Sequence, residues 1–83
     1  MNEYQRITEE SAEWLKKGKW TKFLKALPEG VYFHKFDNAR VLNLVKTTTY
    51  ILNRKSYNLR SYSIRINEGD EYQREAIITI ETK

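Results

Sequence analysis

Two groups of residues in this chain carry side chains that could bind or react with a ligand. The first is a cluster of carboxylates around one polar turn, formed by Glu68, Asp70, Glu71 and Glu75. Asp70 together with Glu81-Thr82-Lys83 has the residue types of a metal-dependent nuclease, in which carboxylates hold Mg²⁺ and a lysine orients water. No further acidic residue supports this set, and patterns this short recur by accident. We therefore interpret these carboxylates as part of a solvated loop and tail.

Other catalytic motifs are missing from the sequence. The chain has no Cys, which excludes disulfides and thiolate metal sites. Its three glycines are far apart, at positions 18, 30 and 69, so there is no Gly-rich phosphate loop. His34 is the sole His and is expected to be an ordinary sheet residue. The sequence predicts a protein that is not an enzyme, with no catalytic residue, no metal site and no cofactor.

The second group is the basic stretch from Asp37 to Ile66. The formal charge is +1 over residues 1–30, +6 over residues 31–66 and −3 over residues 67–83, which together give +4. Phosphate contacts need Lys or Arg and hydroxyl donors on one surface, and exposed Tyr can stack on unpaired bases. The residues predicted to bind nucleic acid are Lys46, Arg54, Lys55, Tyr57, Arg60, Ser61, Ser63 and Arg65.

These residues predict a small nucleic-acid-binding protein that contacts DNA or RNA phosphates through a basic helix and strand surface. The alternative is a protein-interaction module that acts as an accessory or inhibitor protein of a larger enzyme, for example from a phage or other mobile element. Trp, Tyr and Arg are enriched at protein interfaces and are plentiful here, so composition suits both functions. A homodimer through a sheet edge is compatible with either. No apolar run is long enough to span a bilayer, and we expect a cytoplasmic protein without a membrane partner.

Two short helices are predicted first. Thr8 is a good N-cap and Gly18 a C-terminal stop, which places the first helix at about residues 9–17. Apolar residues then recur at helical spacing up to Pro28, at Trp20, Phe23, Leu24 and Leu27. These residues predict one face of a second short helix.

A strand and a third helix follow. β-Branched and aromatic residues predict a strand over residues 31–36. Asp37 or Asn38 is expected to cap the third helix, and Asn53 is expected to terminate it. The β-branched run over residues 47–51 could instead form a strand. We favour the helix, because helical spacing begins before this run and continues through it, at Val41, Leu44, Val45, Thr48, Ile51 and Leu52.

Two strands are predicted last, as an antiparallel hairpin. Residues 59–66 alternate, with Tyr62 and Ile64 on one face and Ser61, Ser63 and Arg65 on the other, and residues 75–82 alternate similarly. If the first strand paired directly with the second, a right-handed crossover would make them parallel.

The fold class expected is α+β in a single domain, residues 1–83. It has two short N-terminal helices, then strand-helix-strand-strand, forming a small three-stranded sheet packed on one side by helices. The predicted core contains Leu15, Trp20, Phe23, Leu24, Leu27, Phe33, Val41, Leu44, Val45, Ile51, Ile64 and Ile78.

Overall fold

Helices and strands follow one another in the predicted order, which confirms the α+β class. The computed structural model describes residues 4–55, 60–67 and 74–82. Its elements are α1 (Glu9–Lys16), α2 (Trp20–Ala26), β1 (Gly30–Lys35), α3 (Ala39–Lys55), β2 (Arg60–Ile66) and β3 (Glu75–Thr82). Among the described residues, no helix combines the length and the apolar character needed to cross a membrane.

Side-chain caps fix where α1 and α3 begin. The Thr8 hydroxyl oxygen accepts a hydrogen bond from the Ser11 amide at 3.1 Å, and the hydroxyl donates to Ser11 Oγ at 2.7 Å. Asn38 Oδ1 accepts from the Val41 amide at 3.0 Å. Each cap satisfies an amide that has no partner within the first helical turn. The predicted cap of α1 is confirmed, and Asn38 rather than Asp37 caps α3.

The threonine run in α3 is helical, as predicted. The hydroxyls of Thr47, Thr48 and Thr49 donate to the carbonyls four residues earlier, at 3.1, 2.9 and 2.8 Å. These bonds give each hydroxyl a partner inside the helix, so the threonine run is accommodated without strand pairing. The helix also continues through Asn53 to Lys55, so the prediction that Asn53 ends it is wrong.

Asn53 instead ties α3 to the sheet. Its Nδ2 donates to the Tyr62 carbonyl at 2.5 Å, and its Oδ1 accepts from the Tyr62 amide at 2.8 Å. Both backbone groups belong to β2, which lies at an edge of the sheet. The amide side chain therefore takes the place that a neighbouring strand would occupy at this point of the edge.

The sheet has the order β1-β3-β2, and both pairings are antiparallel. Tyr32 lies opposite Ile78, and Tyr62 lies opposite Ile80. The predicted β2–β3 hairpin pairing is confirmed. β1 and β2 run in the same direction but do not pair directly, because β3 lies between them. Alternate residues of β3 are buried and the residues between them are half-buried, as expected for a central strand.

All three helices lie on one face of the sheet, and the core forms beneath them. Its buried apolar residues are Phe23, Leu24, Leu27, Tyr32, Phe36, Leu42, Val45, Leu52, Tyr62, Ala76, Ile78 and Ile80.

Two predicted core residues are exposed instead. Phe33 is 38% exposed, because it alternates with the buried Tyr32 and faces the other side of β1. Ile51 is 44% exposed. The buried side of α3 consists of Leu42, Val45, Thr49 and Leu52. The helix is thus rotated relative to the predicted stripe, which omitted Leu42 and included Ile51.

Candidate nucleic-acid interface

The solvent-facing side of α3 is the most basic surface that one element of the fold presents. Four cations lie along it, Arg40, Lys46, Arg54 and Lys55, and all four are exposed. No Asp or Glu occurs between Ala39 and Lys55. Exposed polar and aromatic residues lie among the cations, at Asn43, Thr47 and Tyr50. We call these four cations, the three residues among them and Ile51 the α3 surface.

The packing of α3 determines which residues reach this surface. Leu42, Val45, Thr49 and Leu52 are spaced by three or four residues and are buried against α2 and β2. Residues on the opposite side of the helix must therefore face solvent. Basic residues in the last turn also interact favourably with the negative end of the helix dipole. Arg54 and Lys55 therefore stabilise the C-terminal end of the helix and are also exposed to an external anion.

Tyr50 and Arg54 form one defined contact within the α3 surface. The Arg54 guanidinium carbon lies 5.8 Å from the centroid of the Tyr50 ring, and Tyr50 is 61% exposed. Cation–π contact restrains the guanidinium without using its N–H donors. Arg54 can therefore donate to a phosphate oxygen while its position is held by the ring.

Arg60 lies apart from the α3 surface and is already engaged. Its Nη1 donates to the Lys25 carbonyl at 3.3 Å and its Nη2 to the Leu27 carbonyl at 2.5 Å. Its guanidinium carbon also lies 5.2 Å from the Tyr62 ring centroid. These carbonyls lie at the C-terminal end of α2, where backbone acceptors lack helical partners. The contacts of Arg60 connect β2 to α2 and leave it poorly placed to reach a phosphate.

The three remaining strand residues lie on the sheet face that the helices do not cover. Ser61, Ser63 and Arg65 alternate with the buried Tyr62 in β2, which confirms their predicted common face. Arg65 is exposed and lies opposite Ile77 in the register with β3. Tyr57, the last predicted residue, lies outside the described residues. Among the described members of the predicted set, Arg60 contacts α2, Lys46, Arg54 and Lys55 lie on the α3 surface, and Ser61, Ser63 and Arg65 lie on the far side of the sheet.

The uncovered side of the sheet, which we call the open sheet face, differs in character from the α3 surface. Phe33 lies here, and its ring centroid is 6.2 Å from that of Tyr4. Lys35 and Arg65 share the face with Glu75 and Glu81. Cations and carboxylates are therefore mixed around an apolar centre.

Sequence reasoning did not assign Arg40, Asn43, Thr47 and Tyr50 to the site. With Arg54 they recur every three or four residues, so they follow one line along α3. Their helical spacing could have identified them from the sequence, because the predicted helix already placed these residues away from its apolar stripe.

His34 lies on the helix-covered side of the sheet. Its ring meets Phe36 edge-on, with centroids 4.7 Å apart. Burial lowers the pKa of the imidazole, and the Asp37 carboxylate partly opposes this shift. Within residues 4–55, 60–67 and 74–82, no three His, Asp or Glu side chains are grouped closely enough to hold a metal ion. Of the nuclease-like residues, Glu81 is exposed near the end of β3, while Asp70 and Lys83 lie outside these ranges.

Comparison of the chain with models of protein families, with curated proteins and with solved structures found no match.

Proposed function

We propose that this protein binds nucleic acid by neutralising backbone phosphates with the α3 surface. The observation that carries the proposal is a 17-residue helix whose solvent side has four cations and no carboxylate. Phosphate binding depends on clustered Lys and Arg, and a nearby carboxylate would repel the same phosphates. Of the residues predicted to bind, Lys46, Arg54 and Lys55 remain in the proposed interface.

The dimensions of the helix support this proposal. At 1.5 Å per residue, α3 is about 25 Å long, and the major groove of B-DNA is wide enough to admit a helix. Along a duplex, phosphates occur about every 1.7 Å of axis when both strands are counted, so cations spread over this length can contact several. Asn43 and Thr47 add polar groups between the cations. Contacts of this kind fix position and carry little sequence information.

The test measures binding by fluorescence anisotropy on duplex DNA, single-stranded DNA and RNA over a range of salt concentrations. If about four phosphates are neutralised, log K falls with log salt at a slope of about −3 to −4. Arg54→Ala with Lys55→Ala should weaken binding to all sequences alike and flatten the slope by about two units.

The matched control is Lys25→Ala with Lys35→Ala. It removes the same charge from exposed positions outside α3, so net charge alone would affect both double variants equally. We expect the control to keep most of the affinity and the parent slope. The proposal fails if no nucleic acid binds at low salt, or if the two double variants behave alike.

A second candidate function is docking on a larger protein, and the open sheet face favours it. Phe33, Tyr4 and Ile77 place apolar surface there beside Arg65. Aromatic residues and Arg often anchor protein interfaces, and such contacts depend weakly on salt. Capture of the same partner with and without nuclease treatment, lost on Phe33→Ser but kept on Arg54→Ala with Lys55→Ala, would support this function.

A further inference from the structure

Three lysines surround a single tryptophan at the junction of α1 and α2. The Nζ atoms of Lys17, Lys19 and Lys22 lie 5.6, 5.3 and 4.8 Å from the centroid of the Trp14 ring. We propose that this lysine cluster is a second anion site, and that its ligand carries two or more adjacent phosphate groups. The site involves no residue of α3, and the inference does not depend on the function proposed above.

The backbone between the two helices brings the lysines together. Lys17 follows the last residue of α1, Lys19 precedes the first residue of α2, and Lys22 lies in the first turn of α2. Gly18 has φ +72°, in the left-handed region that favours glycine. The Lys19 amide donates to the Trp14 carbonyl at 2.9 Å, which closes the turn. The three side chains therefore start from fixed positions around one ring.

The electrostatics of the cluster favour a multiply charged ligand. All three ammonium groups lie within 5.6 Å of one ring centroid, so three like charges occupy one region of the surface, and an indole ring carries no net charge to balance them. A cation–π contact holds each lysine near the ring but leaves its charge in place. Glu13 precedes Lys17 by four residues, a spacing that permits an ion pair. The structure records the Lys17 ammonium over Trp14 instead.

The position of the cluster leaves it open to a ligand. Lys17, Lys19 and Lys22 are all exposed, and Trp14 is half-buried. Three ammonium groups can donate to oxygens on neighbouring phosphates, and such charge-assisted bonds are the stronger class of hydrogen bond. A single phosphate would engage fewer of the three at once. The shared chemistry is a short run of phosphates, which either a free polyphosphate or a nucleic-acid backbone could supply.

The test uses inorganic tripolyphosphate as the probe and the two tryptophans as reporters. The chain contains two Trp, so the indole N–H region of a ¹H–¹⁵N spectrum should show two signals. Trp20 is the internal control, because its indole nitrogen is buried and its side chain lines a cleft with His34 and Phe36, whereas the three ammonium groups surround Trp14. We expect tripolyphosphate to shift the Trp14 signal in a saturable way and to leave the Trp20 signal in place. Absence of a saturable shift, or a shift of Trp20 alone, would overturn the proposal.

A matched pair of variants separates the cluster from net charge. Lys19→Gln with Lys22→Gln removes two ammonium groups from the cluster and should weaken tripolyphosphate binding by about tenfold or more. Lys25→Gln with Lys35→Gln removes the same charge from positions outside it and should change the affinity by about twofold or less. Equal losses in the two pairs would show that overall charge, rather than the cluster, attracts the anion. Circular dichroism of each variant confirms that it is folded.

Competition then identifies the source of the phosphates. The tripolyphosphate affinity is measured with and without a saturating oligonucleotide, in the parent protein and in the Arg54→Ala, Lys55→Ala variant. A lower affinity with the oligonucleotide assigns the cluster to the nucleic-acid backbone, and an unchanged affinity assigns it to a free polyphosphate. The double variant should bind tripolyphosphate like the parent, because no residue of α3 belongs to the cluster. Loss of that binding would contradict the proposal.

Discussion

The α3 surface and the open sheet face both carry basic residues, but their surroundings are opposite. The cations of α3 have no carboxylate anywhere in the same helix. On the open sheet face, Lys35 and Arg65 lie among Glu75, Glu81 and the half-exposed Phe33. The charges that α3 itself presents therefore have one sign, while those of the open sheet face are mixed. What distinguishes a candidate phosphate surface in this molecule is the position of the carboxylates rather than the number of cations.

The two regions also differ in how they are supported. The α3 surface is the outer side of a helix whose inner side is buried in the core, so its residues are fixed by packing. The open sheet face belongs to strands that are covered on their other side alone. The α3 surface also exposes Tyr50 and Ile51, so apolar area alone does not separate the two regions. Charge of one sign suits a phosphate backbone, and mixed charge around apolar area suits a protein. Five substitutions can break or sharpen this comparison.

The largest effect is expected on stability, from a residue on the buried side of α3. The rotation of α3 about its own axis determines which residues are buried and which form the α3 surface. Leu42 is 1% exposed, so Leu42→Ala should lower the free energy of unfolding by about 2–5 kcal/mol. Ile51→Ala removes an exposed side chain and should change it by about 0.5 kcal/mol or less. Chemical denaturation of both variants gives the comparison. A larger loss for Ile51→Ala would mean that α3 is rotated and that its outer surface has been wrongly assigned.

Arg60 should affect stability and not binding. Arg60→Ala leaves the Lys25 and Leu27 carbonyls without their guanidinium donor, which should cost about 1–3 kcal/mol. The salt slope of nucleic-acid binding should keep its parent value, because this guanidinium is engaged by α2. Denaturation and anisotropy on the same preparation test both statements. If the salt slope flattens by about one unit while the free energy of unfolding is unchanged, Arg60 contacts phosphate and belongs to the interface.

Arg65 tests the open sheet face directly. It is exposed, so Arg65→Ala should alter the free energy of unfolding by about 0.5 kcal/mol or less. We expect the salt slope on every nucleic acid to stay the same, since the phosphates are proposed to contact α3. If the slope flattens by about one unit, the open sheet face also contacts phosphate and the contrast between the two regions is weaker than described.

The smallest effect is a pH dependence from the covered side of the sheet. Burial lowers the pKa of His34 below its ordinary value of 6.5, with partial opposition from Asp37. The unfolded chain therefore holds the imidazole proton more tightly than the folded protein does. The His34 imidazole therefore makes its full contribution to the free energy of unfolding above pH 6.5. This contribution decreases as the pH falls below 6.5, until the imidazole of the folded protein is also protonated.

Melting temperatures of the parent and of His34→Gln test this expectation between about pH 8 and about pH 5. The parent should lose more stability than the variant over the acid half of the range. Parallel curves would show that the environment of His34 does not penalise the charged imidazole.

Local patterns in the sequence predict much of this fold. Thr8, Asn38 and the alternation in β2 and β3 mark their elements, because caps and strand faces depend on neighbours in the chain. The phase of α3 is harder to predict. Val41, Leu42, Leu44 and Val45 are all apolar, so two overlapping stripes fit the same helix. Packing against α2 and β2 selects the stripe that contains Leu42.

The candidate site was less predictable for a related reason. Arg60 looks like any other cation of the basic stretch, and the Leu27 carbonyl that engages it lies 33 residues earlier. Likewise, Ser63 and Arg65 follow α3 in the sequence but lie on the other side of the sheet. Charge counted along the chain cannot show which side of the fold a residue will reach.

The strand order has a consequence for how the protein folds while it is being synthesised. β3 is the central strand, yet it follows β1 and β2 in the chain, so both wait for it before they can pair. The pairing of Gly30 with Ile80 and of Lys35 with Glu75 joins residues 40 to 50 positions apart. Such distant contacts form slowly, whereas the Asn53–Tyr62 bonds span nine positions and can form earlier. On the ribosome, α3 and β2 can therefore associate as soon as both have emerged, and the sheet closes after residue 82 has left the exit tunnel.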